Sequence, residues 1–354
     1  MARALVLVPE SLVTVAARVE ARLDDLLSAE TARWRDLSPD LEAPLASLRT
    51  LVMGSGKRLR PAFCYWGYRA AGGDPDDPRV VDVGAAFEML QAFALVHDDV
   101  MDGSATRRGV RTAHLAFGDD HEQADWRGEP RRFGEGVAIL IGDLAHVYAD
   151  HLLAGAPPEV GPVWDELRIE LNIGQYLDIL GTARRDTDRP SARRIARYKS
   201  GKYTIERPLH VGAALAGGLE PLREVLSAYG DPLGEAFQLR DDMLGAFGEE
   251  EATGKPVGDD LREGKPTPLL AAATALADAD QALVLASVGT PDLSPTDVAA
   301  IQRVMIDTGA VEEIEARIEA LTDDAIAALA GAPLRAEVRE ALVELARFVA
   351  WRAA

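Results

Sequence analysis

The chain has 354 residues, 47% of them hydrophobic, and a formal net charge of −20. That length and apolar share can bury a large core, and the acidic balance argues against a nucleic-acid partner, whose phosphates call for a basic surface. One cysteine, Cys64, excludes an internal disulfide and suits a reducing cytoplasm. The opening run MARALVLVPESL lacks the apolar length of a signal peptide, and no stretch approaches the roughly 20 apolar residues expected of a membrane span.

Taken in chain order, the elements read as helices. Ser38-Pro39-Asp40 is a helix start: a capping hydroxyl, a proline in the first turn and an early acid. Residues 54–61, GSGKRLRP, place Lys57, Arg58 and Arg60 behind a flexible Gly-Ser-Gly. A basic knot in so acidic a chain points to a local anion site. Val80 to Met101 reads as a long core helix, too interrupted by charge to cross a bilayer.

That helix carries the most informative stretch, residues 91–109, QAFALVHDDVMDGSATRRG. Asp98 and Asp102 stand at i and i+4, on one helical face with about 6 Å of rise between them. Like charges at that spacing repel, so a cation is expected to compensate them. Oxygen ligands without a His or Cys cluster suit a hard cation, Mg²⁺ first. Arg107 and Arg108 follow, the residue type that grips phosphate with two parallel hydrogen bonds. The segment reads as a metal-diphosphate site. The plainer reading is a solvated acidic helix end followed by a basic turn.

Residues 119–136, DDHEQADWRGEPRRFGEG, are polar and Gly-rich and read as a long mobile loop. Gln175 and Asp178 in GQYLD sit at i and i+3 on a helix, suited to a supporting polar role or a buried hydrogen bond. Lys199 lies in YKSGKY. A second acidic cluster follows in FQLRDD, where Phe237 and Gln238 share a face with Asp241 and Asp242. Beyond it come Lys255, Asp259, Asp260 and Lys265, in a loop with Gly254, Pro256, Gly258 and Gly264. Lysine meets phosphate as a point charge, and glycine lets backbone approach a ligand. Two carboxylate pairs, each with its own cations, fit two walls of one cleft. Ser294-Pro295-Thr296-Asp297 starts another helix, and Val338, Leu342, Leu345 and Val349 follow helical spacing. Strand-like alternation is absent. The expected architecture is all-α, a single-domain helical bundle over residues 1–354, because no linker separates the motifs.

These motifs, in this order, resemble the trans-type isoprenyl diphosphate synthases, or polyprenyl synthetases. The family order is GKRxRP, DDxxD with RRG, a lysine motif, then FQxxDD and GK. Here those are Gly56–Pro61, Asp98–Asp102 with Arg107–Gly109, Lys199-Ser200, and Phe237–Asp242 with Lys255 and Lys265. The resemblance covers about residues 50–270, with a compatible helical tail over 271–354.

The resemblance implies a helical bundle of the isoprenoid synthase type around a central cleft. It implies a homodimer that condenses isopentenyl diphosphate with allylic diphosphates, using three Mg²⁺ ions per site. Asp98, Asp102 and Asp241 would bind the metal, with Asp99 and Asp242 behind them or sharing ligation. Arg107, Lys199, Gln238, Lys255 and Lys265 would hold the allylic diphosphate. Lys57, Arg60, Gln91 and Arg108 would hold isopentenyl diphosphate. Ionisation leaves an allylic cation, the isopentenyl double bond attacks it, and the departing diphosphate takes the proton. His97 is assigned no role.

Gly245 departs from the pattern, standing where many relatives carry a third aspartate, and Asp259 or Asp260 is a candidate substitute. In the family, the fifth and fourth residues before the first motif form the floor of the product pocket, here Phe93 and Ala94. A large fifth residue, a small fourth and an uninserted DDVMD imply geranylgeranyl diphosphate as product, with farnesyl or longer polyprenyl diphosphates as alternatives. The competing classes are a class I terpene cyclase, whose Asn/Ser/Glu metal motif is not found here, a head-to-head condensing enzyme, which lacks GKRxRP, and a non-catalytic synthase subunit, which would have lost first-motif aspartates.

Overall fold

The computed structural model describes residues 8–54, 56–186, 188–248, 257–290 and 292–352. Lys255, with Gly254 and Pro256 beside it, and Ser55 in the basic motif lie outside the described residues. Helices make up most of the described residues, as expected.

The fold divides into two compact units. One contains Glu10–Tyr65 and Asp74–Pro157, and the other contains residues 8–9, 66–73 and 158–352. The chain passes between them after residues 9, 65, 73 and 157. No single linker separates them, which is why the sequence carries no boundary signal.

The first unit holds α1 (Glu10–Arg35), a 3₁₀ turn (Pro39–Leu41), α2 (Glu42–Met53), the start of α3 (Leu59–Ala70), α4 (Pro78–Asp102), α5 (Ala113–Gln123) and α6 (Pro130–Leu152). The start signal at Ser38 is used by the 3₁₀ turn, where the Ser38 hydroxyl accepts from the Asp40 amide. Helix α4 begins at an Asp77 cap with Pro78 in its first turn, and it ends at Gly103, whose φ of 68° is the left-handed conformation glycine adopts freely. It packs against α1, α2 and α6 and buries Val83, Phe87, Met89 and Leu90 completely or nearly so. By length and composition α4 could cross a membrane, which corrects the expectation that no stretch qualifies. Three of its five acids stand in the last turn, which leaves a mostly apolar window, and 61% of that window is buried in the fold, as in a core helix.

Residues 119–136 are mostly helical rather than one long loop. Helix α5 runs to Gln123 and α6 starts at Pro130. The short connection is fastened by His121, whose ring nitrogen lies 3.1 Å from the Arg127 carbonyl oxygen and whose ring packs against Trp126 and Phe133. Gly134 lets α6 approach α5, because a Cβ there would lie 1.9 Å from the His114 carbonyl oxygen. Polarity suggested a loop; a few aromatic contacts outweigh it.

A two-stranded hairpin also interrupts the helical plan, pairing Thr106–Arg107 with Val110–Arg111. Its two turn residues, Arg108 (φ 54°) and Gly109 (φ 74°), both have positive φ, as the tightest hairpin turn demands.

The second unit contains the end of α3, then α7 (Val160–Arg184), α8 (Arg189–Ile195), a π-helix (Ala196–Glu206), α9 (Arg207–Leu215) and α10 (Leu219–Phe247). After the undescribed segment come α11 (Asp259–Glu263), α12 (Pro268–Leu276), α13 (Ala279–Leu285), α14 (Pro295–Asp307), α15 (Ala310–Ala328) and α16 (Ala336–Trp351). The expected start at Ser294 is a full capping box with Asp297. Val338, Leu342, Leu345 and Val349 are all fully buried on α16. The π-helix packs against α7 and α10. Only glycine permits this at 174, since a Cβ there would lie 2.3 Å from the Lys199 amide nitrogen. A buried cluster ties these elements together: Glu170 on α7 accepts from Lys202 at 2.8 Å and from Arg207 at 2.6 and 2.7 Å.

Candidate active site

In the first unit, Asp98, Asp99 and Asp102 occupy the last turn of α4. Helix C-termini carry partial negative charge, so three acids there need a compensating cation. Arg107 supplies it from the hairpin, placing Nη2 3.0 Å from Asp98 Oδ2 and Nε 2.7 Å from Asp99 Oδ1. Asp99 is buried, while Asp98 and Asp102 are half-buried.

Arg108 turns the other way, against the basic motif. Its guanidinium lies 3.4 Å from the Cβ position of Gly56, and Nη1 donates to the Leu51 carbonyl at 3.4 Å. Burial pulls its pKa below the ordinary arginine value, and Arg58, Arg107 and Arg60 pull it further, with Glu88 opposing. Such a crowd of cations suits an anion. Arg58 is not part of its open face. It is buried, with Nη1 2.5 Å from Glu88 Oε2 and Nε 3.1 Å from Glu20 Oε1, and so it anchors the segment that presents Lys57 and Arg60. Lys57, Arg60 and Gln91 are half-buried.

Phe93 is held on both sides. Its ring stacks on His146 of α6, with centroids 4.8 Å apart at 27°, and meets His97 edge-on at 4.7 Å. His97 is fixed in turn by a 3.1 Å contact from Nε2 to the Ile139 carbonyl oxygen, in space left by Gly142. Ala94 beside Phe93 is small and half-buried. His97 therefore has a part that the sequence did not suggest, and His146 was not singled out at all.

In the second unit, Asp241 and Asp242 lie on α10. Asp242 is buried, and its Oδ1 accepts from Gln238 Nε2 at 2.7 Å. Its Oδ2 and Gln238 Oε1 have no hydrogen-bond partner among the described residues. Burial pushes the Asp242 carboxyl well above the usual carboxylate range; Asp260, Asp241 and Asp178 push the same way, and the Gln238 hydrogen bond opposes them. An orphaned carboxylate oxygen amid further carboxylates fits a hard divalent cation. Among the described residues, no group of three His, Cys, Asp or Glu could hold a metal by itself, so a metal here would need further oxygen ligands, such as those of a diphosphate.

Lys199, on the π-helix, places Nζ 2.5 Å from Oδ2 of buried Asp178, which gives the GQYLD acid its partner. Lys265 reaches Glu263 at 2.6 Å and Asp260 at 3.6 Å. The space beside Gly245 is filled by Asp260, since a Cβ on Gly245 would lie 1.9 Å from Asp260 Oδ2. A residue from the far side of the sequence also enters. Arg352 donates to the Asp241 carboxylate. Nothing local in the sequence signals that contact.

The comparisons with known proteins agree with these motifs. A family model described as polyprenyl synthetase matches residues 43–305. The chain belongs to the polyprenyl synthetase family. It is 32% identical over 312 residues to a geranylfarnesyl diphosphate synthase from Aeropyrum pernix, covering 85% of this chain and 92% of that one. It is 33% identical to a geranylgeranyl diphosphate synthase from Mycobacterium tuberculosis, covering 78% of each. Its fold is similar to the crystal structure of a geranylgeranyl pyrophosphate synthase from Corynebacterium glutamicum complexed with isoprenyl diphosphate and magnesium. The TM-score is 0.90 at 39% identity, covering 94% of this chain and 97% of that one. As a polyprenyl synthetase the protein is a prenyltransferase, an isoprenyl diphosphate synthase.

Proposed function

We propose that this synthase makes geranylgeranyl diphosphate by Mg²⁺-dependent, head-to-tail addition of isopentenyl diphosphate to allylic diphosphates. Asp98, Asp102 and Asp241 hold the metal, with Asp99 and Asp242 behind them. When bound, Mg²⁺ neutralises the leaving diphosphate and so favours ionisation of the allylic bond. Arg107, Lys199, Gln238, Lys255 and Lys265 serve the allylic diphosphate. In the resting protein Arg107 neutralises Asp98 and Asp99, a pairing that metal would replace. Lys57, Arg60, Gln91 and Arg108 hold isopentenyl diphosphate. No side chain acts as a nucleophile, and the released diphosphate accepts the proton.

The observation that carries the product length is the fixing of Phe93 between His97 and His146, with small Ala94 alongside. A stacked ring is a firm floor, and the missing bulk at 94 leaves room for a twenty-carbon chain. A second copy of the chain accounts for apolar side chains left outside on two helices: Leu140 and Val147 on α6, and Ile169, Ile173 and Tyr176 on α7. Three Mg²⁺ ions per site and a cytoplasmic setting complete the reading. The test is incubation with Mg²⁺, isopentenyl diphosphate and dimethylallyl, geranyl or farnesyl diphosphate in turn, with products read by mass spectrometry. A twenty-carbon end product from each primer supports the reading, and arrest at fifteen carbons contradicts it.

A further inference from the structure

Arg352 lies one residue past α16 and is 5% exposed. Its guanidinium lies over the Phe237 ring, 4.4 Å from the centroid, and donates to the carbonyls of Phe237 and Val349 and to the Asp241 carboxylate. Arg240, next to Asp241, reinforces the attachment. Its Nε donates to the Ala350 carbonyl at 2.7 Å, and its two Nη atoms each reach Glu315 at 2.7 Å. Two arginines therefore fasten the end of α16 to the acidic stretch of α10. One of them engages a carboxylate that the proposed function assigns to Mg²⁺.

The electrostatics explain why a cation belongs there. Asp241, Asp260 and Asp178 all act on buried Asp242. The Asp241 carboxylate adds to that crowding, and a cation beside it offsets part of its charge. The Arg352 guanidinium supplies one positive charge and one donor, Nη2, to that carboxylate. A divalent ion needs the same oxygens and offers twice the charge.

We propose that Arg352 is the resting counter-ion of Asp241, that it shuts the second carboxylate group to metal alone, and that metal arriving with diphosphate displaces it. The proposal rests on the metal role of Asp241. With metal alone, displacement leaves a desolvated guanidinium without an anion. With diphosphate present, the freed fork gains phosphate oxygens, which it matches in geometry. Metal and diphosphate binding are then coupled through Arg352, and the coupling is reciprocal. The device keeps Mg²⁺ from settling on α10 before substrate arrives.

The test uses the full chain with Asp98→Asn and Asp102→Asn, which removes the two half-buried carboxylates of the first group, and Mn²⁺ alone as probe. Free Mn²⁺ is read by electron paramagnetic resonance, and metal-free melting confirms that each protein is folded. Adding Arg352→Gln should tighten Mn²⁺ binding at least tenfold, and Arg352→Lys should fall between. Inorganic diphosphate should then improve Mn²⁺ binding more in the Arg352 protein than in the Gln variant. Equal Mn²⁺ affinity in folded Arg352 and Gln proteins overturns the displacement. No Mn²⁺ uptake in either, with or without diphosphate, overturns the metal role of Asp241 and the displacement together. If the Gln variant does not fold, hydrogen exchange on the wild-type chain decides: Mn²⁺ with diphosphate should speed exchange of amides 349–352, and unchanged exchange overturns the proposal.

Discussion

The carboxylate of Asp260 fills the space where Gly245 would carry a side chain: a Cβ on Gly245 would lie 1.9 Å from Asp260 Oδ2. The position where many relatives carry a third aspartate on the helix is thus empty of side chain, and a carboxylate from α11 stands over it. From the sequence, Gly245→Asp would leave product length unchanged and alter activity modestly if Asp241 alone anchors the metal, and would raise activity sharply if a ligand is missing there. The geometry says otherwise. Gly245→Asp should lower the melting temperature and cut turnover, since it sets two carboxylates against each other beside buried Asp242. Gly245→Asp with Asp260→Gly should recover much of both losses. A single variant as stable and active as wild type would contradict this packing.

Removing either half-buried acid of the first group should be severe. Asp98→Ala and Asp102→Ala should each lower kcat by several orders of magnitude, because the lost carboxylate acts in the ionising transition state. Arg108→Ala should act mainly on the Michaelis constant for isopentenyl diphosphate, since its guanidinium faces the Gly56 segment rather than the aspartates. Steady-state kinetics with each substrate varied separates the two effects. Near-normal kcat in both aspartate variants would refute their assignment.

Product length should respond to the ring stack. Ala94→Phe should shorten the product by one five-carbon unit, and Phe93→Ala should lengthen it. His146→Ala removes the stacking partner and leaves Phe93 in place but mobile, so it should broaden the distribution toward longer chains. Product mass spectra that stay identical to wild type in all three variants would put the floor elsewhere.

Stability should fall in mild acid through His210. Burial pulls its pKa from the ordinary 6.5 down to about 4, with nearby Arg207, Arg223 and Lys202 adding to the shift and Glu206 opposing it. The unfolded chain takes up this proton below about 6.5, but the folded chain only near 4. Its contribution is therefore fully present above about 6.5 and is lost as the pH falls toward 4, on the order of 1–3 kcal/mol. His210 faces Ser227 Oγ at 3.1 Å and Arg207 Nη1 at 3.4 Å, contacts that Gln can partly replace. Across this range wild type should lose stability relative to His210→Gln as the pH falls from about 6.5 toward 4, as melting curves would show. Parallel curves would remove His210 as the cause.

What the sequence made legible was local. The cap at Ser294, the α4 pattern, and the pairing of Asp98 and Asp102 depend on neighbours within a turn or two, so they can be read without a fold. The 119–136 segment was misread because its order comes from His121, Trp126 and Phe133, three aromatic residues scattered among charges. The π-helix is invisible to a search for a 3.6-residue period. Long-range partners were legible only in part. Nothing near Asp241 announces Arg352, whereas Asp260 was one of the two candidates for the place beside Gly245, and it is the one that stands there. Lys255 lies outside the described residues, so its role remains the sequence's proposal alone.

The most direct test of the account follows diphosphate release and product mass together. The purified chain is given farnesyl diphosphate, with Mg²⁺ and isopentenyl diphosphate each present or withheld. The account predicts diphosphate release and a twenty-carbon diphosphate only when both are present, in one-to-one amounts. Diphosphate released from farnesyl diphosphate with Mg²⁺ alone, accompanied by a fifteen-carbon hydrocarbon or alcohol, would contradict it and favour a cyclase.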